Sequence, residues 1–404
     1  MVISIIQSVL LLLAITITIP ITVLLVECLV AAVTGTPKAR PAYLAGTESI
    51  AVLMPAHNEA GTITPVLQSI VSQLRPQDRL LVIADNCTDD TAAVAQKTGA
   101  QVLERQDAQR RGKGYALDFG IRALSEKPPA VVVVMDADCL ITGGSLLSLA
   151  AQALATGRPT QARYLFEVPE PRSTKSLISA FAITVKNWVR PLGMLRLGLP
   201  SLLFGTGMAF PWPVLMAVDL ASGHIVEDMK LGFDLAIAGY SPLFDPTVQV
   251  MGQLPDSRQA ATSQRTRWEH GHLQVLQDYV PQLLIQSLKQ ARVDLLALAL
   301  DLAIPPLTLL VMLWVLTLGI TGLAGVAGLG WLAASIAMSA GGFLFAAIAI
   351  AWLRFARRDV PLSSLVAFIG YMLWKIPLYV KFLVKPQSDW VRTERSNTNT
   401  PVQK

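Results

Sequence analysis

The sequence predicts an α/β domain set between an N-terminal transmembrane helix and a C-terminal group of transmembrane helices. Three observations carry this reading. The 404 residues are 52% hydrophobic and only 15% charged, with mean hydropathy +0.49, whereas soluble proteins carry about 25% charged residues. Apolar blocks stand at both ends of the chain, and about 20 such residues cross a bilayer. Between them, short apolar runs alternate with helical periodicity, the pattern of a mostly parallel sheet. This composition excludes a disordered chain and argues against a purely soluble enzyme. The net charge is +5, from 33 basic and 28 acidic residues. So small and dispersed an excess argues against a nucleic-acid partner and suits basic cytoplasmic flanks. Cys28, Cys87 and Cys139 show no CxxC spacing, which argues against a disulfide framework and a cysteine zinc site.

Val2 to Val33 is almost wholly apolar. It is too long for a signal peptide and lacks a basic start, so it reads as an uncleaved anchor. Lys38 and Arg40 follow it and place the next segment in the cytoplasm by the positive-inside rule. Leu295 to Ile320 reads as the next span, carrying Asp301 and Pro305-Pro306. Gly322 to Gly330 reads as a turn, and Trp331 to Leu353 as another span closed by Arg354, Arg357 and Arg358. Leu362 to Val384 has basic flanks on both sides, the second being Lys385, Arg392 and Arg395. It is either a re-entrant or interfacial helix or a third C-terminal span. The expected boundaries are a 1–33 anchor, a 34–48 linker, a 49–260 α/β domain, a 261–290 interfacial helix region, a 291–384 membrane region and a 385–404 cytosolic tail, polar from Ser396.

Within the α/β domain, Ile50–Met54, Leu80–Ala84, Gln101–Leu103 and Ala130–Met135 read as strands. Ile63–Leu74, Thr91–Lys97 and Tyr115–Leu124 read as helices. Ligands in such sheets bind beyond the carboxyl ends of the strands, where every polar cluster falls. The valine run Val131–Val134 delivers Asp136 and Asp138, which suit a Mg2+ or Mn2+ ion bound with a diphosphate. A loop acid pair capping a helix is the alternative. Asp85 ends another strand as a ligand candidate, and Thr88, Asp89 and Asp90 are expected to cap the following helix. His57 and Glu59 end the first strand, although a histidine in a loop is usually just solvated. Lys113, in Arg110-Arg-Gly-Lys-Gly114, suits phosphate oxygens or is a solvated basic turn; the spacing is not that of a P-loop. Glu227-Asp228 either complements a helix dipole or supplies a general base. Gln264, Arg267 and Trp268 either cover a sugar or diphosphate or anchor an interfacial helix.

Taken in order, Pro55-Ala-His-Asn-Glu59, the Asp85 cluster, Lys113, Asp136-Ala-Asp138, Glu227-Asp228 and Gln264-x-x-Arg267-Trp268 resemble a membrane-bound family-2 glycosyltransferase. The resemblance is to the D, DxD, D, QxxRW branch, which holds cellulose, hyaluronan, chitin-oligosaccharide and poly-N-acetylglucosamine synthases and ceramide glucosyltransferases. It covers residues 48 to 285 and implies a GT-A (Rossmann-like) fold, a UDP-sugar donor and a Mg2+ or Mn2+ cofactor. It implies that His57 and Glu59 line the nucleoside, Asp85 meets the uracil and Lys113 the diphosphate. Asp136 would lie by the ribose and sugar, and Asp138 would ligate the metal. Asp228 would be the base, with Glu227 beside it. Gln264, Arg267 and Trp268 would close over the diphosphate, Trp268 also forming the acceptor mouth. Phe204-Gly205-Thr206-Gly207 would receive the acceptor.

Two departures stand out. Ala84 occupies the first position of a cluster that often begins with two aspartates, and the Phe204–Gly207 loop differs from that of cellulose synthases. The implied reaction is an inverting β-transfer to a growing envelope or exported polysaccharide, or alternatively to a lipid. A degenerate, non-catalytic module of an assembly is the reading from another class. The implied location is a bacterial plasma membrane with the catalytic domain cytosolic, among membrane lipids. With few helices for a polymer channel, an accessory export subunit is a candidate partner.

Overall fold

The computed structural model describes residues 1–33, 44, 47–142, 145–168, 170–255 and 258–384. The basic flanks Lys38 and Arg40, and Lys385, Arg392 and Arg395, lie outside the described residues, as does the tail from Ser396. In chain order the elements are α1 (Val2–Ala32), β1 (Ile50–Ala56), α2 (Ile63–Val71), β2 (Arg79–Asp85), α3 (Thr91–Lys97), β3 (Gln101–Arg105), α4 (Lys113–Leu124), β4 (Val131–Val134), β5 (Leu140–Ile141) and α5 (Ser145–Thr156). Then come β6 (Thr160–Glu167), α6 (Thr174–Thr184), a π-helical turn (Val185–Val189), α7 (Arg190–Arg196), β7 (Met208–Pro211), α8 (Trp212–Leu215), α9 (Glu227–Ile237) and β8 (Leu243–Gln253). The chain continues through α10 (Arg258–Gln290), α11 (Val293–Leu302), α12 (Leu307–Ala324), α13 (Leu332–Ala351), α14 (Leu362–Val366) and α15 (Phe368–Val384).

The chain forms two units. The α/β unit holds the described residues from 44 to 171 and residues 200–271. Its eight-stranded sheet has the order β3-β2-β1-β4-β7-β6-β8-β5. The first four strands are parallel, as the alternating pattern predicts. The rest of the sheet is mixed. β7 runs antiparallel to β4 and β6, β8 is parallel to β6, and β5 is antiparallel to β8. β4 is buried along its whole length, as befits a strand covered on both faces. One face packs Leu53, Leu81, Ile83, Val132, Val134 and Phe210 with the apolar sides of α4 and α9. Gly120 of α4 lies so close to the sheet that a Cβ there would fall 2.4 Å from a methyl of Leu53.

The helical unit holds residues 1–33, 172–199 and 272–384. The segment 172–199, which the sequence placed in the α/β domain, therefore groups with the apolar helices. It packs on α1 through Gly193, where a Cβ would come within 2.4 Å of the Glu27 carbonyl oxygen. Arg196 Nη1 donates to the carbonyls of Val30 (2.9 Å) and Ala31 (2.6 Å). Those carbonyls belong to the last turn of α1, where a cation also suits the helix dipole. Beside this crossing, Arg190 of α7 is buried between two acids. Its guanidinium donates to Asp301 Oδ1 of α11 (Nε, 3.0 Å) and lies 3.3 Å from Glu27 Oε2 of α1.

Three helices are long and apolar enough to cross a membrane among the described residues: Val2–Ala32, Leu307–Leu329 and Leu332–Ala356. The expected span Leu295–Ile320 needs correction. Pro305-Pro306 breaks it, α11 ends at Leu302, and the spanning helix begins at Leu307. Asp301 thus lies in α11, outside the candidate span. Two successive prolines lack the N–H groups that would continue the helix. α15, at 17 residues, is not among the three.

Candidate active site

The sequence-predicted residues stand at the ends of β1, β2 and β4, in the Phe204–Gly207 loop, in the first turns of α4 and α9, and on α10. Left-handed asparagines turn the chain sharply after β1 and β2, Asn58 at φ 56° and Asn86 at φ 52°. Asparagine tolerates this conformation better than most residues. Asn58 Oδ1 accepts the Thr88 N–H at 2.7 Å, and Asn86 Oδ1 accepts that of Asp107 at 2.8 Å. The two turns are thereby tied to neighbouring loops.

At the β1–β2 end, the His57 imidazole Nδ1 lies 2.7 Å from the Asp85 carbonyl oxygen. The Asp85 carboxylate accepts from Arg105 Nη1 at 2.6 Å and Asn86 Nδ2 at 3.0 Å. Arg105 is the registered neighbour of Asp85 on β3. Glu59 turns to its own helix, where Thr62 Oγ1 donates to Glu59 Oε2 at 2.5 Å. Of the three expected caps for α3, Asp89 does the work, accepting the Thr91 N–H at 3.0 Å. Asp90 makes no side-chain capping bond, and Thr88 pairs with Asn58.

Around β4 a second group forms. Lys113, the first residue of α4, ion-pairs with Asp136 and donates to the Gly205 carbonyl at 2.7 Å. Glu227 Oε1 is 3.9 Å from the same ammonium. Asp228 closes the ring. A side chain at Gly205 would put its first carbon 3.2 Å from Asp228 Oδ2, and φ +90° there also favours glycine. Burial opposes the Lys113 charge, but Asp136, Glu227 and Asp228 together hold the ammonium above its usual value. Burial pushes Glu227 up to about 7, with Lys113 opposing the shift and Asp228 adding to it. Burial lowers the Arg267 guanidinium, while Glu227, Asp136, Tyr164 and Asp228 favour its charge. Arg267 therefore faces the same acidic group. Gln264 of α10 is buried beside it in sequence, and Trp268 packs on Phe166, ring centroids 5.5 Å apart. Phe166 in turn packs on Tyr164 at 4.6 Å.

The Phe204–Gly207 loop is built into the floor of this group. The Asp136 N–H donates to Thr206 Oγ1 at 3.0 Å. Gln161, wholly buried in β6, accepts the Phe204 N–H on Oε1 at 2.8 Å and donates from Nε2 to the Thr206 carbonyl at 2.9 Å. Sequence reasoning missed Gln161, whose signal is an amide inside the strand Thr160–Glu167. Arg105 was missed because only strand register sets it opposite Asp85. Gln161→Leu leaves the Phe204 N–H and Thr206 carbonyl without that partner, and each buried group left unpaired costs about 1–3 kcal/mol. The expected result is a lower melting temperature in detergent, together with reduced activity. An unchanged melting temperature would show that the clamp contributes nothing.

One ligand atom each from Asp136, Asp138 and Cys139 lies within 4.8 Å of the others. Two carboxylates are the donor set that Mg2+ and Mn2+ choose, since these ions bind one or two protein carboxylates beside phosphate oxygens. The residues present fit such an ion.

The glycosyltransferase like family 2 model matches residues 47–271. The probable glycosyltransferase YdaM of Bacillus subtilis is 26% identical over 260 residues, 60% of this chain and 59% of that protein. The poly-beta-1,6-N-acetyl-D-glucosamine synthase of Staphylococcus epidermidis is 23% identical over 257 residues, again 60% and 59%. The chain thus spans about three fifths of the length of these relatives. Among solved structures, the mannosyltransferase PcManGT of Pyrobaculum calidifontis, in complex with GDP-Man and Mn2+, superposes with TM-score 0.56 at 19% identity. That superposition covers 94% of this chain and 100% of the other, and shows the shared fold. The family match takes in more than half of the chain and all of the motifs described above, and the chain belongs to glycosyltransferase family 2, an enzyme with a GT-A fold.

Proposed function

We propose that this glycosyltransferase moves a sugar from a UDP-sugar to a hydroxyl of a growing envelope or exported polysaccharide, inverting the anomeric centre to give a β-linkage. The observation that carries the reading is the ring of Lys113, Asp136, the Gly205 carbonyl and Asp228 beyond β4. It sets a cation for a diphosphate beside a carboxylate that can take a proton. In this reading His57, Glu59 and Asp85 hold the nucleoside, and Asp136 lies by the ribose and sugar. Gln264, Arg267 and Trp268 close over the diphosphate. Asp228 removes the acceptor proton as the acceptor oxygen attacks. Phe204–Gly207 and Trp268 receive the acceptor, and the half-buried pair Phe166 and Trp268 offers ring faces to a sugar chain. Asp138 would hold Mg2+ or Mn2+, which when bound stabilises the departing diphosphate. The 49–260 region is the catalytic domain, cytosolic in a bacterial plasma membrane, with 261–290 at the interface. An accessory export subunit would complete the route for the polymer.

A second reading, with a lipid acceptor, is favoured by one observation: residues 172–199 pack against α1 and α11 in the apolar helical unit. Transfer from radiolabelled UDP-sugar in native membranes separates the two. Label in water-soluble or high-mass glycan is the result expected for polysaccharide. Label extracted into organic solvent would replace that acceptor with a lipid.

A further inference from the structure

We infer that Cys139 is a positioning residue, whose buried S–H fixes the Asp138 carboxylate in the orientation that a divalent cation needs. The inference rests on the metal reading of Asp138 given above.

Asp138 stands in the loop between β4 and β5, where no ladder of backbone hydrogen bonds holds it. Cys139 supplies two ties. Its backbone N–H donates to the Asp136 carbonyl at 3.3 Å, closing the turn that carries both acids. Its sulfur lies 3.1 Å from Asp138 Oδ1. An ionised carboxylate only accepts hydrogen bonds, so the thiol is the donor in this contact. The sulfur is itself held. Cys139 is 0% exposed, and the Tyr164 hydroxyl lies 3.5 Å from Sγ. Tyr164 is itself buried and packed on Phe166, and Gly252 on β8 leaves space for its hydroxyl, where a Cβ would come within 2.9 Å. Of the two oxygens within reach of the S–H, Asp138 Oδ1 is the nearer and the charged one, so it is the stronger acceptor.

The choice of sulfur has a chemical consequence. A thiol is a weak donor, so it orients one carboxylate oxygen without neutralising the charge that attracts a cation. Hard divalent ions prefer oxygen to sulfur, so Cys139 acts through Asp138 and does not compete with it. Groups that orient a metal ligand typically change metal affinity 10- to 100-fold when removed. A single weak donor belongs at the lower end, about tenfold.

The test uses the detergent-purified full chain. Mn2+ is titrated with UDP or GDP present, and free Mn2+ is read by electron paramagnetic resonance, for wild type, Cys139→Ala, Cys139→Ser and Asp138→Asn. Melting temperatures are measured alongside. The expected result is Mn2+ binding about tenfold weaker in Cys139→Ala, recovered in Cys139→Ser because a hydroxyl can donate in its place, and largely lost in Asp138→Asn. Unchanged affinity in Cys139→Ala, with loss in Asp138→Asn, would overturn the role of Cys139 and leave the metal reading standing. Equal weakening in the alanine and serine variants would assign the effect to packing and also overturn it. Wild-type affinity in Asp138→Asn would overturn both the metal reading and this inference.

Discussion

Asp228→Asn is expected to lower turnover by at least about 100-fold, and by as much as about 10,000-fold, the range typical of a lost general base. The amide keeps the shape of the carboxylate but cannot take the acceptor proton. Asp228 sits in the first turn of α9 against the Gly205 backbone, next to the Lys113 ammonium and the Glu227 carboxyl. That arrangement sets the Asp228 carboxylate beside the Lys113 ammonium, and in the proposed reaction it is the base next to the departing diphosphate. The asparagine protein should melt with wild type, since the packing against Gly205 survives. Near-normal turnover in a folded Asp228→Asn protein would remove Asp228 from the chemistry.

The second large effect concerns stability. Arg190→Leu strands Glu27 and Asp301, which are 1% and 4% exposed. Removing one partner of a buried ion pair costs about 3–5 kcal/mol, because a charge is left buried without compensation. The expected outcome is a sharply lower melting temperature in detergent and poor recovery of folded protein. Replacing all three residues by apolar ones of similar size should restore much of the loss, since well-packed hydrophobic residues often match a buried ion pair. If Arg190→Leu melts with wild type, the cluster does not hold α1, α7 and α11 together.

The parallel half of the sheet and its acids could be read because both are local: a valine run followed within a few residues by Asp136 and Asp138. The turn-and-helix pattern located α3 and α4 in the same way. The mixed pairing of the other half is not legible, because an apolar run records burial, not strand direction. Arg105 and Gln161 became visible only when strands distant in sequence were paired, since each acts on a residue 20 or more positions away. Glu59 also accepts from Thr62 three residues on, a local bond that the motif itself does not announce. The apolar composition runs on through Pro305-Pro306 and so puts Asp301 in a span, whereas the helix stops before the two prolines. The Glu27–Arg190–Asp301 cluster joins three stretches of chain whose proximity no periodicity encodes.

In the proposed reaction the ring beyond β4 transfers a sugar from a metal-bound nucleotide sugar. The most direct measurement is nucleotide release by the purified protein across a panel of UDP- and GDP-sugars, with Mg2+, with Mn2+ and with EDTA. The expected result is release from one UDP-sugar, dependent on the divalent ion, abolished by EDTA and lost in Asp228→Asn. Release that persists in EDTA, or no release from any nucleotide sugar with native membranes supplied as acceptor source, would contradict it.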